Sequence, residues 1–155
     1  MMKIIRTKKN KGEKGFALAE VMVAAVVMIL AFVGILMTYI KCLELNEMSQ
    51  NKSTATRAAK TRMEQINNSD FTQLFANFNN VAFFEPGLNG AGVSYINNAN
   101  PDLVQITVSF CWRQKNGLLI GEDANLDGGL DAGEDLNGNG MVDSTVQLVT
   151  SRYNE

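Results

Sequence analysis

Acidic and amide side chains recur in a regular order between residues 121 and 146. The stretch repeats with a period of twelve residues, so that Asp123 aligns with Asp135. Its first copy follows the calcium-loop pattern, in which acids or amides at alternate positions precede a glycine and an acid closes the loop. Oxygen atoms at this spacing can surround one Ca²⁺ ion. The ligands expected for the first copy are Asp123, Asn125, Asp127, the carbonyl of Gly129, Asp131 and Glu134.

The second copy lacks the closing acid, because Val146 stands where a glutamate is expected. We expect this copy to bind an ion more weakly or to borrow a carboxylate from a neighbouring position. Strand patterns on both sides favour an EF-hand-like loop inserted into a β connection over a helix-loop-helix sensor. The ligands expected for the second copy are Asp135, Asn137, Asn139, the carbonyl of Met141 and Asp143.

The whole acidic loop carries seven carboxylates and no Lys or Arg. Carboxylates at this spacing repel each other, and a bound cation would offset the repulsion. The predicted cofactor is therefore Ca²⁺, with one ion expected and a second site left open. A polar loop without metal is the alternative, since Asn, Asp and Gly are common in turns. A metal-dependent hydrolase is disfavoured because this ligand pattern fits a filled cage with no open position.

A single acid, Glu20, interrupts an apolar run that extends from Phe16 to Ile40. As a helix of 25 residues, the run can cross a hydrocarbon core of about 30 Å. The first fifteen residues contain six Lys or Arg and one Glu, which predicts a cytoplasmic N-terminus and places the polar remainder beyond the membrane. An acid at the centre of the bilayer costs about 2.5–3.5 kcal/mol and less near its edge, so Glu20 is predicted to be functional.

The residues around Glu20 carry a further signal. A Lys-rich leader, then Gly15, Phe16 and Glu20 within an unbroken apolar run, resembles the class III prepilin signal of type IV pilins and type II secretion pseudopilins. The resemblance implies that a prepilin peptidase cuts between Gly15 and Phe16, that Phe16 is N-methylated, and that Glu20 guides assembly. A secretory signal peptide is disfavoured because no small-residue cleavage site follows the run. A plain single-pass anchor would leave Glu20 unexplained.

The resemblance also implies a structural subunit and not an enzyme: a minor pilin or pseudopilin, similar to the PilV type. Its expected partners are other pilin or pseudopilin subunits, the prepilin peptidase and the inner-membrane assembly platform. The expected location is first the bacterial inner membrane and then a periplasmic pseudopilus or an extracellular pilus. The alternative is a single-pass, membrane-anchored calcium-binding adhesion module that does not polymerise.

Composition disfavours several other classes of protein. The chain has no His and only two Cys, which removes most zinc sites, His-dependent triads and disulfide-dense scaffolds. Residues 16–155 carry a net side-chain charge of −7, and nucleic-acid binding is disfavoured because phosphate contacts need clustered Lys or Arg. A disulfide between Cys42 and Cys111 is not expected.

The spacing of apolar residues predicts the elements that position these sites. One long helix is expected from Phe16 to about Asn67, followed by a short helix capped by Asp70. Residues 81–100 are typical of an irregular loop with one short strand, and Asn116-Gly117 predicts a hairpin turn. The strands expected are 93–96, 103–112, 118–120 and 146–151.

The elements and the resemblance together predict an α+β, pilin-like fold. A long N-terminal helix, whose first half is transmembrane, would pack on a small antiparallel β-sheet with a calcium-loop insertion. The expected organisation is a basic leader at 1–15, a membrane or filament-core segment at 16–40, and a periplasmic or extracellular globular domain at 41–155 with its calcium-binding loop at 122–143.

Overall fold

A computed structural model describes the backbone of residues 13–154 and the side chains of residues 17–154. Most of the predicted basic leader lies outside the described residues, and so do the side chains of the predicted cleavage site, Gly15 and Phe16. The elements in chain order are α1 (Glu13–Asn67), a 3-10 helix (Phe71–Gln73), α2 (Leu74–Phe78), β1 (Val81–Phe83), β2 (Gly90–Asn100), β3 (Leu103–Arg113), β4 (Leu119–Ile120) and β5 (Gln147–Tyr153).

The α+β fold class is confirmed. A long, apolar N-terminal helix leads into an antiparallel sheet, and the later turns of that helix pack on the sheet. The chain divides into two compact units, with the boundary between Glu44 and Leu45.

The first unit contains the apolar turns of α1. Every side chain from Ala17 to Leu43 is exposed, and the segment is long and apolar enough to cross a membrane. Its polar end carries an exposed ion pair between Lys41 and Glu44, with 2.7 Å between the charged atoms. An α-helix that is apolar around its whole circumference is stable only among other apolar groups.

In the second unit, the C-terminal turns of α1 pack on the sheet through small side chains. Ala55 and Ala59 are fully buried one helical turn apart, and Ile66 extends the same core. Across from them, β3 contributes the large buried residues Phe110 and Trp112. Because alanine has little volume, the helix backbone can approach the sheet closely enough for these large side chains to fill the space between them.

The sheet places the acidic loop beside its most buried strand. β1, β2 and β3 pair in sequence order, all antiparallel. The far edge of β3 is shared: β4 pairs with its last two residues, and β5 pairs with residues 103–109. The segment between β4 and β5, residues 121–146, therefore leaves and re-enters the sheet along the same strand.

The prediction of an irregular loop over residues 81–100 is wrong. The chain forms β1 and the long strand β2, which pairs with β3 from Gly90 to Asn100. Glycines are typical of irregular loops, but here they are required because neighbouring groups lie too close for a Cβ atom. A Cβ on Gly90 would lie 2.3 Å from the carbonyl oxygen of Cys111, and a Cβ on Gly92 would lie 2.3 Å from the Phe83 ring.

The predicted helix cap at Asp70 is also wrong. The Asp70 side chain makes no capping hydrogen bond, and the chain enters a 3-10 turn instead. The end of α1 is held by Arg152 on β5, whose Nη1 donates to the carbonyl oxygens of Ser69 at 2.7 Å and Ile66 at 3.4 Å. A cation at this position satisfies terminal carbonyls and is favoured by the helix dipole.

Candidate functional site

The acidic loop, residues 121–146, covers the face of the sheet that points away from α1. Val93 on β2 and Cys111 on β3 form a buried cluster with Val142 of the loop. Leu126 and Leu130 of the loop pack against the same cluster. Val142 and Leu130 occupy equivalent positions of the two repeats, so each copy contributes an apolar residue to the sheet. This small core fixes the position of the loop.

The first copy is organised by two buried carboxylates. Asp123 is 0% exposed, and its oxygens accept hydrogen bonds from the backbone N–H groups of Leu126 at 2.6 Å and Gly128 at 2.8 Å. Glu134 is 7% exposed and accepts from the N–H groups of Ala124 at 2.7 Å and Asp131 at 2.9 Å. The first and last predicted ligands thus hold the two ends of the same loop.

The other predicted ligands of the first copy lie beside these acids. Asn125 donates from Nδ2 to Asp127 at 3.0 Å and to Asp131 at 2.8 Å. The N–H of Gly129 donates to Asp127 Oδ1 at 2.7 Å. Hydrogen bonds therefore link every residue predicted to hold the first ion to another member of the loop.

The second copy repeats this hydrogen-bond pattern twelve residues later. Asp135 accepts from the N–H groups of Gly138 at 2.7 Å and Gly140 at 2.9 Å, at the same offsets that Asp123 uses. Asn137 donates to Asp143 as Asn125 does to Asp131. The remaining predicted ligands also join this copy: Asn139 donates to Asp143 at 2.8 Å and accepts from the N–H of Met141 at 2.8 Å.

The backbone follows the same period. Positive φ angles occur at three pairs of positions twelve residues apart, which shows that the two copies have related local folds. These pairs are Gly121 with Gly133, Leu126 with Gly138, and Gly128 with Gly140. Five of these six residues are glycines, and the sixth, Leu126, packs its side chain into the small core on the sheet.

Glu122 makes one of the two hydrogen bonds that the missing acid of the second copy would be expected to make. In the first copy, Glu134 Oε2 accepts from the N–H of Asp131 at 2.9 Å. In the second copy, Glu122 Oε2 accepts from the equivalent N–H, that of Asp143, at 3.1 Å. Glu122 was not among the predicted ligands, although its alignment with Glu134 at the period of twelve is a signal in the sequence.

Side chains outside the loop also hold it, and one of them is Gln147 on β5, which donates to Asp143 at 2.7 Å. Tyr95 on β2 accepts a hydrogen bond at its hydroxyl oxygen from the N–H of Val142 at 2.9 Å. Arg113 at the end of β3 donates from Nη2 to the carbonyl of Ala124 at 2.7 Å. None of these residues carries a sequence signal for this role, because the contacts exist only once the sheet has formed.

The electrostatics of the loop favour a cation. Burial raises the pKa of Asp123, hydrogen bonds from Gly128 and Leu126 oppose that shift, and the nearby charges of Glu134 and Asp127 raise the pKa further. Within residues 17–154, neither of the salt bridges involves a carboxylate of the acidic loop. No three acidic or Cys side chains of the described chain are grouped so that they could hold a metal by themselves. The predicted ligand sets also use Asn and carbonyl oxygens.

Glu20 lies on α1 in the first unit. The apolar side chains around it, including Leu18, Val21 and Val23, are more than half exposed. The cleavage after Gly15 that the resemblance implies would create an amine on each copy, and Glu20 of a neighbouring copy could pair with it. The side chains of Gly15 and Phe16 lie outside those described.

Comparison of the chain with protein-family models, with curated proteins and with solved structures gives no match. The assignment of function therefore depends on the residues of the apolar helix and of the acidic loop.

Replacement of Tyr95 by Phe tests how the loop is held. The change keeps the ring and leaves the N–H of Val142 without its acceptor, so we expect a loss of about 1–3 kcal/mol in unfolding free energy. Urea unfolding in detergent, followed by fluorescence of the single, fully buried Trp112, measures it. Hydrogen exchange at Val142 should also become faster.

The matched control is Tyr153→Phe, since the Tyr153 side chain is 68% exposed. Equal stability of the two variants and unchanged exchange at Val142 would show that the Tyr95 contact does not hold the loop.

Proposed function

We propose that this protein is a minor pilin or pseudopilin, a structural subunit of a type IV pilus or a type II secretion pseudopilus. It is processed after Gly15 and assembled through the apolar turns of α1. The soluble unit that follows carries a calcium-stabilised loop. Its partners in this role are other subunits of the filament, the prepilin peptidase and the assembly platform in the inner membrane.

One observation carries the proposal: the side chains of Ala17 to Leu43 are exposed on all sides of α1, and Glu20 is the only charge among the apolar ones before Lys41. Such a surface requires lipid or other apolar helices around it. Lipid alone would satisfy the apolar side chains but would leave Glu20 without a counter-charge.

A bundle of identical helices would provide both the apolar surroundings and the counter-charge for Glu20. Cleavage after Gly15 creates an amine at the start of the apolar segment, and that amine can pair with Glu20 of an adjoining copy. Each charge then offsets the unfavourable burial of the other, whereas a lone copy would bury one acid unpaired. A single-pass anchor with a calcium-binding adhesion module shares the helix and the loop but has no use for this pairing.

The mature N-terminus separates these two functions. We expect mass spectrometry of the protein purified from its natural host to show a chain that begins with N-methylated Phe16. Gly15→Leu should block processing, because the peptidase would meet a bulky side chain at the cleaved bond. Gly34→Leu, the same change further along α1, should be processed normally. A natural chain that begins at Met1 would favour the anchored module.

Replacement of Glu20 by Gln tests the assembly role. Membrane insertion should be unchanged, because Gln removes a charge from the apolar segment. Incorporation into sheared filaments should fall at least about ten-fold, since an unpaired amine would be left on the adjoining copy at a cost of about 2.5–3.5 kcal/mol if central. Quantitative immunoblotting of membrane and filament fractions measures both effects. Glu44→Gln is the matched control, and normal incorporation of Glu20→Gln would overturn the pairing.

We also propose that the first copy of the acidic loop binds Ca²⁺. Asp123, Asn125, Asp127, Asp131 and Glu134 would supply side-chain oxygens, and Gly129 a carbonyl. The residues fit the ion chemically: they are hard oxygen donors, and two of their carboxylates are buried without a salt bridge to Lys or Arg in the described chain. A cation would favour the ionised form of Asp123, which burial disfavours.

The second copy is proposed as a weaker site. Asp135, Asn137, Asn139, Asp143 and the carbonyl of Met141 form its donor set, and Glu122 stands in for the missing closing acid. In this role calcium stabilises the long connection between β4 and β5, which packs on the sheet through Leu126, Leu130 and Val142.

Calcium should stabilise the second unit against unfolding. Extracellular calcium modules bind with dissociation constants of about 10⁻⁴–10⁻³ M, so 10 mM Ca²⁺ should add about 1.4–2.7 kcal/mol relative to a chelator. Urea unfolding of the full chain, followed by Trp112 fluorescence, measures the difference. Glu134→Gln should remove most of it, while Glu64→Gln, on the exposed surface of α1, should keep it. Identical unfolding of the natural protein with calcium and with chelator would refute this site.

A further inference from the structure

The second unit has a basic surface on α1 that none of the proposed roles uses. Between Glu47 and Glu64 the helix contains four cations and no acid. Arg62 turns inward, where its guanidinium carbon lies 4.8 Å from the ring centre of Phe78. The other three are exposed and line one helical surface together with Ser49, Ser53 and Thr56. We call Lys52, Arg57 and Lys60 the basic stripe.

Charge in the basic stripe is poorly compensated within the molecule. Arg57 makes a long ion pair with Glu85, at 3.4 Å, and its side chain stays largely exposed. Lys52 and Lys60 form no salt bridge with any described residue. Lys52 and Lys60 are two turns apart on the same side of α1, so both can meet one partner surface.

The acidic loop of this same chain carries the negative charge that complements the basic stripe. The acidic loop packs on the opposite face of the sheet from α1, so the second unit separates positive from negative charge. Asp127 and Asp131 of the loop are exposed. Each bound calcium ion would neutralise two of the seven carboxylates, which leaves the loop negative even with both copies filled.

We propose that the basic stripe of one copy binds the acidic loop of a second copy. The two surfaces are different patches, so the contact is head-to-tail and can be repeated from copy to copy without closing. It deepens the proposed filament role, on which its biological purpose rests, by naming a contact outside the apolar helices. Nucleic acid is a poorer partner because the stripe has only three cations and the rest of the unit is acidic.

Cross-linking of mixed isotopic copies tests the contact. Natural and ¹⁵N-labelled full-length chains are mixed in detergent with calcium and treated with a carbodiimide, which joins a lysine amine directly to a carboxylate. Mass spectrometry should find mixed-isotope peptides that link Lys52 or Lys60 to residues 122–143. Raising NaCl from 0.1 M to 1 M shortens the screening length from about 10 Å to about 3 Å and should abolish these links.

A charge-reversal pair supplies the specific control. Lys60→Glu should greatly reduce the mixed links from Lys52, because the stripe would then repel the loop. Lys115→Glu makes the same change of charge at an exposed lysine outside the stripe and should leave those links unchanged. Binding of each variant to phosphatidylglycerol vesicles and to duplex DNA is measured in parallel.

The contact is overturned if the mixed links are absent, persist in 1 M NaCl, or survive Lys60→Glu. It is also overturned if Lys60→Glu instead abolishes binding to the vesicles or to DNA in the absence of mixed links. Failure of the filament role gives a different result: the links persist while the mature chain begins at Met1. Normal filament incorporation without any links leaves the Glu20 pairing intact and removes only this contact.

Discussion

Carboxylates that form no salt bridge with any residue the structure describes set the chemical requirements of both parts of this molecule. Glu20 lies in an apolar helix, and Asp123 and Glu134 are buried within a loop that contains no Lys or Arg. An ionised acid in apolar surroundings is unfavourable unless a cation or hydrogen-bond donors compensate it. The loop acids receive backbone N–H donors, while the proposed partner of Glu20 is an amine on an adjoining copy. The proposed ion and the proposed amine would each supply a positive charge that compensates a carboxylate.

Strand β3 connects the two sides of the second unit. Its alternate residues face α1 on one side and the acidic loop on the other, so Phe110 and Cys111 belong to different cores. β4 and β5 pair along one edge of this strand, which brings both ends of the loop together. Stabilising the loop with an ion should therefore also stabilise the sheet that α1 packs against. The chemistry of the loop and the stability of the fold are coupled through one strand.

Patterns with strong local periodicity predicted elements well. The end of α1 at Asn67 and the strand β3 follow from helical and alternating apolar spacing, which depend on residues near in sequence. The failures lie where a distant partner decides the structure. β2 looked irregular because its glycines have low strand propensity, but pairing with β3 outweighs that preference. Asp70 has a side chain suited to cap the short helix that follows it but makes no such bond, while Arg152 from β5 holds the end of α1.

The sequence by itself determined the apolar segment with its single acid, and the twelve-residue repeat with its oxygen-bearing side chains. Both are local patterns, because the length of an apolar run and the chemistry of a loop depend on the order of neighbouring residues. Only the tertiary structure decided that Glu122 takes the place of the missing acid beside Asp143, that Tyr95 anchors the loop, and that basic and acidic surfaces lie on opposite sides of the sheet. These features require residues far apart in the chain to meet, and the register of β2, β3 and β5 fixes which ones do.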